Sequence, residues 1–283
     1  MANENVIIDY FDTCEIHYRR LWDLQNSMAM HYGYWDETTK NFPDALKNEN
    51  ILLAQLIQVQ RDDIILDAGS GVGGSAIFLA KEFGCKVIGV TLSEKQVATS
   101  RLNAKKHNIA HLVEFHQKDY LDTGFPDGYF SVVWAVESIC YCADKKDFLS
   151  ESSRLLQKNG RIIIADGFLK EGSLNNTEEK QMRLWLEGWG IPNLSRESEF
   201  TRYLEPLQFK SIEFKDCTKH VMPSSQRMYY PSLAVYPFIK ILEWLRIRKK
   251  IQTQHVIGAI YQYITLRKKI WKYGIYLGVG AKH

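Results

Sequence analysis

The 283-residue sequence has few cysteines, no long apolar run and little excess of either charge. Its five cysteines are Cys14, Cys85, Cys140, Cys142 and Cys217, an odd number with no C-x-x-C pair. That argues against a disulfide framework or a zinc site and for a reducing compartment. Cys140 and Cys142 stand one residue apart, too close to chelate a metal without distant help, so no metal site is expected. No stretch reaches the ~18 uncharged apolar residues of a membrane span. The opening "MANENVIIDYFD" has no basic stretch followed by an apolar run, so no secretory leader is expected and the location reads as cytoplasmic. A net charge of +3 is too small to argue for nucleic acid as a partner.

What is present is ordinary globular composition, 45% hydrophobic and 24% charged, at a length suited to one α/β domain with attached elements. Nothing repeats and no segment is of low complexity. Ile64–Ala68, Lys86–Thr91, Val113–Gln117, Phe130–Val136 and Arg161–Asp166 read as strands. Gly74–Phe83, Glu94–His107 and Lys146–Leu156 read as helices between them. This alternation implies a doubly wound, mostly parallel sheet with right-handed crossovers. Ser211–Cys217 and Gly274–Ala281 bring the strands to seven, the last expected antiparallel. The helical first 50 residues, broken at "HYGYWDETTKNFPD", form an N-terminal attachment. A helical insert at about 219–271 interrupts the last hairpin of the sheet domain, 51–283.

The stretch "LDAGSGVGG", Leu66 to Gly74, reads two ways. Gly69, Gly71 and Gly74 fit the G-x-G-x-x-G of a dinucleotide-binding turn. Asp67, Gly69, Gly71 and Gly73 fit acid-x-G-x-G-x-G, which cradles S-adenosylmethionine. Both use backbone N–H groups and a helix N-terminus beside a ligand that side chains would otherwise block. A nicotinamide site also needs an acid about 20 residues on, at the end of the second strand. Here that strand ends "VIGVTLS", with neither an acid nor the Arg expected for NADP. A carboxylate at Asp67 would repel a pyrophosphate, whereas a ligand carrying an ammonium and a sulfonium tolerates it.

"GVTLSEKQ", Gly89 to Gln96, resembles the G-V-T-x-S-x-x-Q of tocopherol, sterol and cyclopropane-forming methyltransferases. "KDYLD" at Lys118–Asp122, "FPDGYFSVVWAVES" at Phe125–Ser138, "RLLQKNGRIIIAD" at Arg154–Asp166 and "HYGYWD" at His31–Asp36 match the same family in order. The resemblance spans about residues 20 to 217. It implies a class I, Rossmann-like methyltransferase using S-adenosylmethionine, with an N-terminal lid over 1–50 and a methyltransferase domain over 51–283. By that resemblance Asp67, Gly69, Gly71, Gly73, Thr91, Leu92, Gln96, Asp119 and Tyr120 meet the cofactor, Asp119 at the adenine amino group, and Tyr32 closes over it.

Methyl transfer from a sulfonium is an in-line displacement that needs alignment and exclusion of water, and oxygen or carbon acceptors also lose a proton. Glu137, at the mouth of the fourth strand, is the best-placed base. The resemblance also allows it a role in holding cofactor or bicarbonate. "ESICYCAD" puts Tyr141 where relatives often carry His, which weakens a cyclopropane-forming reading; a phenol of pKa near 10 orients an acceptor more readily than it takes a proton. His31 and His220 are further candidate donors or bases. Aromatics in "EGWGIP" (Glu187–Pro192) and "RMYYP" (Arg227–Pro231) suit a small hydrophobic acceptor such as a prenyl, sterol-like or other natural-product skeleton. A cyclopropane-forming acyl methyltransferase and a cofactor-binding scaffold without turnover are the alternatives. Val256, Ile257, Ile260, Tyr263 and Ile264 follow helical spacing beside "RIRKK" and "RKK", so weak membrane-surface contact competes there with a solvated face. The oligomeric state leaves no mark in the sequence.

Overall fold

Chain segments rich in β-branched residues become interior strands, and the helices between them carry apolar stripes that cover both faces. The computed structural model describes residues 24–280 apart from residue 208, together with positions 7, 10, 11, 13 and 14. Most of the first 23 residues of the expected N-terminal attachment therefore lie outside the described residues. Helix α1 (Phe42–Ile57) starts at Asn41, whose side chain accepts from the Asp44 N–H, and stops at Gln58 in the left-handed region. It runs straight through residue 50, where the sequence pattern divides attachment from domain. Its buried stripe, from Phe42 through Leu46 and Leu53 to Ile57, is continuous across that point.

Next come β1 (Ile64–Ala68), α2 (Gly74–Phe83), β2 (Lys86–Thr91), α3 (Glu94–Lys106), β3 (Val113–Gln117), β4 (Phe130–Val136) and α4 (Lys145–Leu155), all within a residue of the sequence reading. β5 (Leu156–Leu169) is longer than the expected Arg161–Asp166: Leu156 already pairs with Phe130 of β4, and at the other end Arg161 to Leu169 pair without interruption with an antiparallel neighbour. That neighbour is β7 (Trp271–Val279), which begins three residues before the expected Gly274. β6 (Ser211–Asp216) is the outer strand.

The seven strands lie in the order β3-β2-β1-β4-β5-β7-β6, with β7 antiparallel to both neighbours and the rest parallel. Alternate residues of β4 serve opposite cores. Val132 and Trp134 pack with Leu53 and Ile57 of α1 and Ile77 of α2, while Val133 and Ala135 pack with Phe148 and Leu149 of α4. Each fully buried side chain of this size contributes ~1.5–3 kcal/mol of transfer free energy. The chain leaves β1 toward β2 on one side and reaches β4 on the other, so a crevice opens at the carboxyl ends of β1 and β4.

Helices α5 (Asn176–Gly188) and α6 (Glu197–Leu204) follow β5 and had no counterpart in the sequence reading. The expected insert holds two helices, α7 (Thr218–Trp244) and α8 (Lys250–Arg267). α7 carries Pro223, Pro231 and Pro237 on exposed positions, where water can satisfy the carbonyls that proline leaves unpaired. The apolar stripe of α8 is not a surface at all. Val256, Ile260 and Tyr263 are buried and Ile257 and Ile264 half-buried, because α8 is packed between α5 and α7. Among the described residues, no helix is long and apolar enough to cross a membrane.

Candidate active site

The glycine loop between β1 and α2 is shaped by backbone that only glycine adopts easily: φ is +89° at Gly69, +52° at Gly71 and +89° at Gly73. Gly69 and Ser70 N–H both donate to the Val90 carbonyl, at 3.0 and 2.9 Å, which ties the loop to β2. Gly69 and Gly71 face a cavity at the carboxyl ends of β1, β2 and β4, which Asp67, Thr91, Leu92, Gln96, Tyr120, Glu137, Tyr141 and Tyr32 also border. Two expected residues stand outside its wall. Gly73 caps α2 and leaves room for the Phe115 ring, 2.8 Å from where a Cβ would sit. Asp119 closes a local turn, its Oδ1 accepting from Leu121 N–H at 2.9 Å.

Asp67 is buried, and its carboxylate accepts one hydrogen bond from the Ala76 N–H of α2. Its Oδ2 has no partner among the described residues, although the residue borders the cavity. Burial pushes the carboxyl up to about 7. An orphaned carboxylate oxygen fits a cationic ligand better than a pyrophosphate, which favours the ammonium-bearing reading of the loop. At the end of β2, Thr91 Oγ1 donates to Gln96 Oε1 at 2.6 Å and fixes that amide beside the cavity. Tyr120 donates to the Ser138 carbonyl at 3.0 Å.

The segment His31–Trp35 is held down by carboxylates. Tyr32 N–H donates to Glu137 Oε1 at 2.7 Å and Gly33 N–H to Glu49 Oε2 at 2.9 Å. His31 Nδ1 meets Glu49 Oε2 at 2.6 Å. The Tyr273 hydroxyl lies 2.6 Å from Glu49 Oε1 and 3.1 Å from Glu137 Oε1, bridging the pair. Desolvation, and then the neighbouring Glu49, push Glu137 well above the usual carboxylate range. Its backbone sits at φ +48°, a left-handed conformation that a non-glycine residue holds only when its surroundings over-determine it. Ligand atoms of His31, Glu49 and Glu137 lie within 4.8 Å of one another, a donor set that suits a cation. Both Glu49 oxygens and Glu137 Oε1 are already engaged, so the geometry is that of a clasp on the N-terminal segment.

A family model for a methyltransferase domain matches residues 66–164, from β1 to β5. The chain is 31% identical over 196 residues to a sarcosine/dimethylglycine N-methyltransferase of Halorhodospira halochloris, covering 69% of this chain and 68% of that protein. The chain belongs to the S-adenosylmethionine-dependent methyltransferases. A geranyl diphosphate 2-C-methyltransferase of Saccharopolyspora erythraea is 41% identical over a shorter 116 residues, 41% of this chain and 40% of that one. A solved geranyl diphosphate methyltransferase, in complex with GPP and sinefungin, shares the fold with a TM-score of 0.76 at 21% identity, covering 98% of each chain.

In this methyltransferase part of the wall of the same cavity is apolar. Trp185, Trp189, Ile191, Leu194, Met228 and Trp271 line it. The Tyr32 ring sits among them, 6.2 Å from the Trp189 ring and 5.9 Å from that of Trp271. Tyr32 Oη donates to Gln262 Oε1 of α8 at 3.0 Å, so the N-terminal segment and the insert meet over the site. Of the aromatic stretches read from sequence, "EGWGIP" supplies Trp189 and Ile191, and "RMYYP" supplies Met228, while Tyr230 is exposed. His31 borders the cavity. His220 does not, stacking instead on Tyr34 at 4.0 Å. Glu49, Trp271 and Tyr273 went unread: no local motif marks them, and only the fold brings them to the site.

The Asp67 carboxyl gives a pH dependence with a definite sign. If Asp67 meets the donor's ammonium, as proposed below, its protonated form cannot make that pair, and binding below about pH 7 must first remove the proton. The Kd of S-adenosylhomocysteine should weaken about ten-fold between pH 8 and pH 6. Calorimetry on Asp67→Asn should show a weaker but flat profile, and an unchanged slope in that variant would contradict the assignment.

Proposed function

We propose that this enzyme transfers the methyl group of S-adenosylmethionine, in line, to a small hydrophobic acceptor of prenyl, sterol-like or similar skeleton. The observation that carries the reading is the apolar lining, three tryptophans among it, that shares one cavity with the glycine loop. When bound, the donor supplies an electrophilic methyl on a sulfonium. The protein's part is to hold donor and acceptor on one axis, exclude water and receive a proton. Gly69, Gly71, Asp67 and the Thr91–Gln96 pair are assigned to the donor; Tyr120 borders its site. Tyr32 with its flanking residues is the lid, clasped by Glu49 and Glu137. Glu137 is the proposed base and Tyr141, on the short turn after β4, an acceptor-positioning residue. Asp119, whose Oδ1 closes a local turn, keeps its proposed place at the adenine amino group. Cys85, Cys140, Cys142 and Cys217 are buried thiols, which supports a reducing, cytoplasmic setting.

S-adenosylmethionine and S-adenosylhomocysteine should raise the melting temperature through linkage, while NAD and NADP should not. A shift caused by NAD alone in a thermal titration would overturn the donor assignment. The acceptor class is tested by incubating the enzyme and labelled donor with prenyl diphosphates, sterols, phenolic prenyl compounds and small amines. Label should enter the hydrophobic group. Label confined to the amines would replace this acceptor with a cationic one held over the tryptophan faces.

A further inference from the structure

Helix α7 changes character half-way along. Val221, Ser224, Ser225 and Met228 are interior, but beyond Tyr229 the buried positions reduce to Ser232 and Ile239. Nine of the eleven exposed large apolar side chains among the described residues lie between positions 230 and 247. At ~100° per residue, Tyr230, Leu233, Phe238, Ile241, Trp244 and Leu245 all project about 100° or more away from the inward Ile239. Their exposure runs from 46% at Leu233 to 80% at Trp244. A face of this extent is far beyond the scattered apolar residues of an ordinary surface.

Charge identifies what covers it. Between positions 229 and 245 the only charged residues are Lys240 and Glu243, paired with each other at 3.2 Å. Immediately after the helix come Arg246, Arg248, Lys249 and Lys250, with Ile247 72% exposed among them. From Cys217 to Lys250, Glu243 is the only carboxylate, while Lys219 and Arg227 add further positive charge. A second copy packed on this face would set cations against cations with no acid to receive them. An anionic lipid surface offers both an apolar layer and phosphates at the right depth, and Tyr230 and Trp244 are the residue types that favour that boundary.

We propose that the second half of α7 and the 246–250 tip dock the enzyme on anionic lipid bilayers, with the apolar face at the acyl boundary and the basic tip on the headgroups. This does not depend on which acceptor is methylated. The full chain should co-sediment with vesicles of phosphatidylcholine containing phosphatidylglycerol at least ten-fold better than with phosphatidylcholine alone, and lose that preference in high salt. The exposed pair Phe238→Ser with Trp244→Ser should lower partitioning at least ten-fold, and Lys249→Gln with Lys250→Gln by about five-fold per charge. Donor affinity and melting temperature should be unchanged in both, since these side chains touch neither cavity nor core. Equal binding to neutral vesicles, or binding indifferent to Phe238→Ser with Trp244→Ser, would overturn the proposal. So would a dimer, seen by light scattering, that the same pair dissociates while vesicle binding is absent.

Discussion

Gly71→Val is expected to weaken donor binding at least 100-fold while leaving the sheet folded. The residue borders the cavity at φ +52°, and a Cβ there would point at Met30 Cε, 2.9 Å away. That methyl is the far end of a flexible side chain and can move. The cost to the fold is therefore mainly the left-handed backbone, ~1–2 kcal/mol for a residue with a Cβ. The melting temperature should fall by only several degrees. The isopropyl group, by contrast, occupies the space through which the loop's backbone approaches its ligand. Gly69→Ala separates the two effects. Its Cβ would lie 2.4 Å from Ser138 Cβ, and Ser138 is anchored by its hydroxyl on the Ala68 carbonyl at 2.6 Å. Nothing there can yield, so Gly69→Ala should read chiefly as lost stability. Calorimetry and thermal melts on both variants check the contrast. Wild-type donor affinity in Gly71→Val would mean the loop does not cradle the donor.

The half of this site assigned to the donor could be proposed from sequence because it is local. Strand, glycine loop, helix and the "GVTLSEKQ" strand end are continuous stretches whose chemistry follows from residue type and spacing. The central strands were legible for a related reason: buried on both faces, they must be apolar runs. What escaped depends on contacts between distant segments. Glu49 sits on an ordinary amphipathic helix and Tyr273 on an edge-proximal strand, 224 residues apart, yet their side chains meet at 2.6 Å. β5 grew beyond the carboxyl end of its pattern because β7 pairs with it along nine residues. α8 looked like a surface helix because its interior face and a membrane-facing face have the same composition. The true uncovered face, on α7, was disguised by three prolines that ordinarily interrupt a helix. α5 did carry a readable start signal, the Asn175–Glu178 capping box.

Glu137→Gln is expected to lower the saturated rate by ~10²-fold or more with little change in donor Kd, the loss associated with removing a positioned base. The geometry makes this substitution unusually clean. Glu137 Oε1 only accepts, from Tyr32 N–H and from the Tyr273 hydroxyl, and a glutamine oxygen can accept both. The clasp survives and only the ability to take up a proton is lost. Because the carboxyl is held well above its usual range, the ionised, base-competent form grows as pH rises through that raised value. The wild-type rate should therefore climb with pH, and the same limb should be missing from Glu137→Gln. Glu137→Leu tests the clasp instead. It leaves the Tyr32 N–H without its acceptor, so donor affinity should fall as the lid loosens. Tyr141→Phe should alter acceptor KM more than kcat, because a neutral phenol beside the cavity positions rather than deprotonates. The pattern that reverses the roles is specific: Tyr141→Phe abolishing turnover while Glu137→Gln leaves rate, Kd and pH profile as in wild type. A Glu137→Gln variant with full rate at saturation but weakened donor binding would instead reduce Glu137 to the lid's anchor. Its left-handed backbone at φ +48° would then serve only to aim that carboxylate at Tyr32.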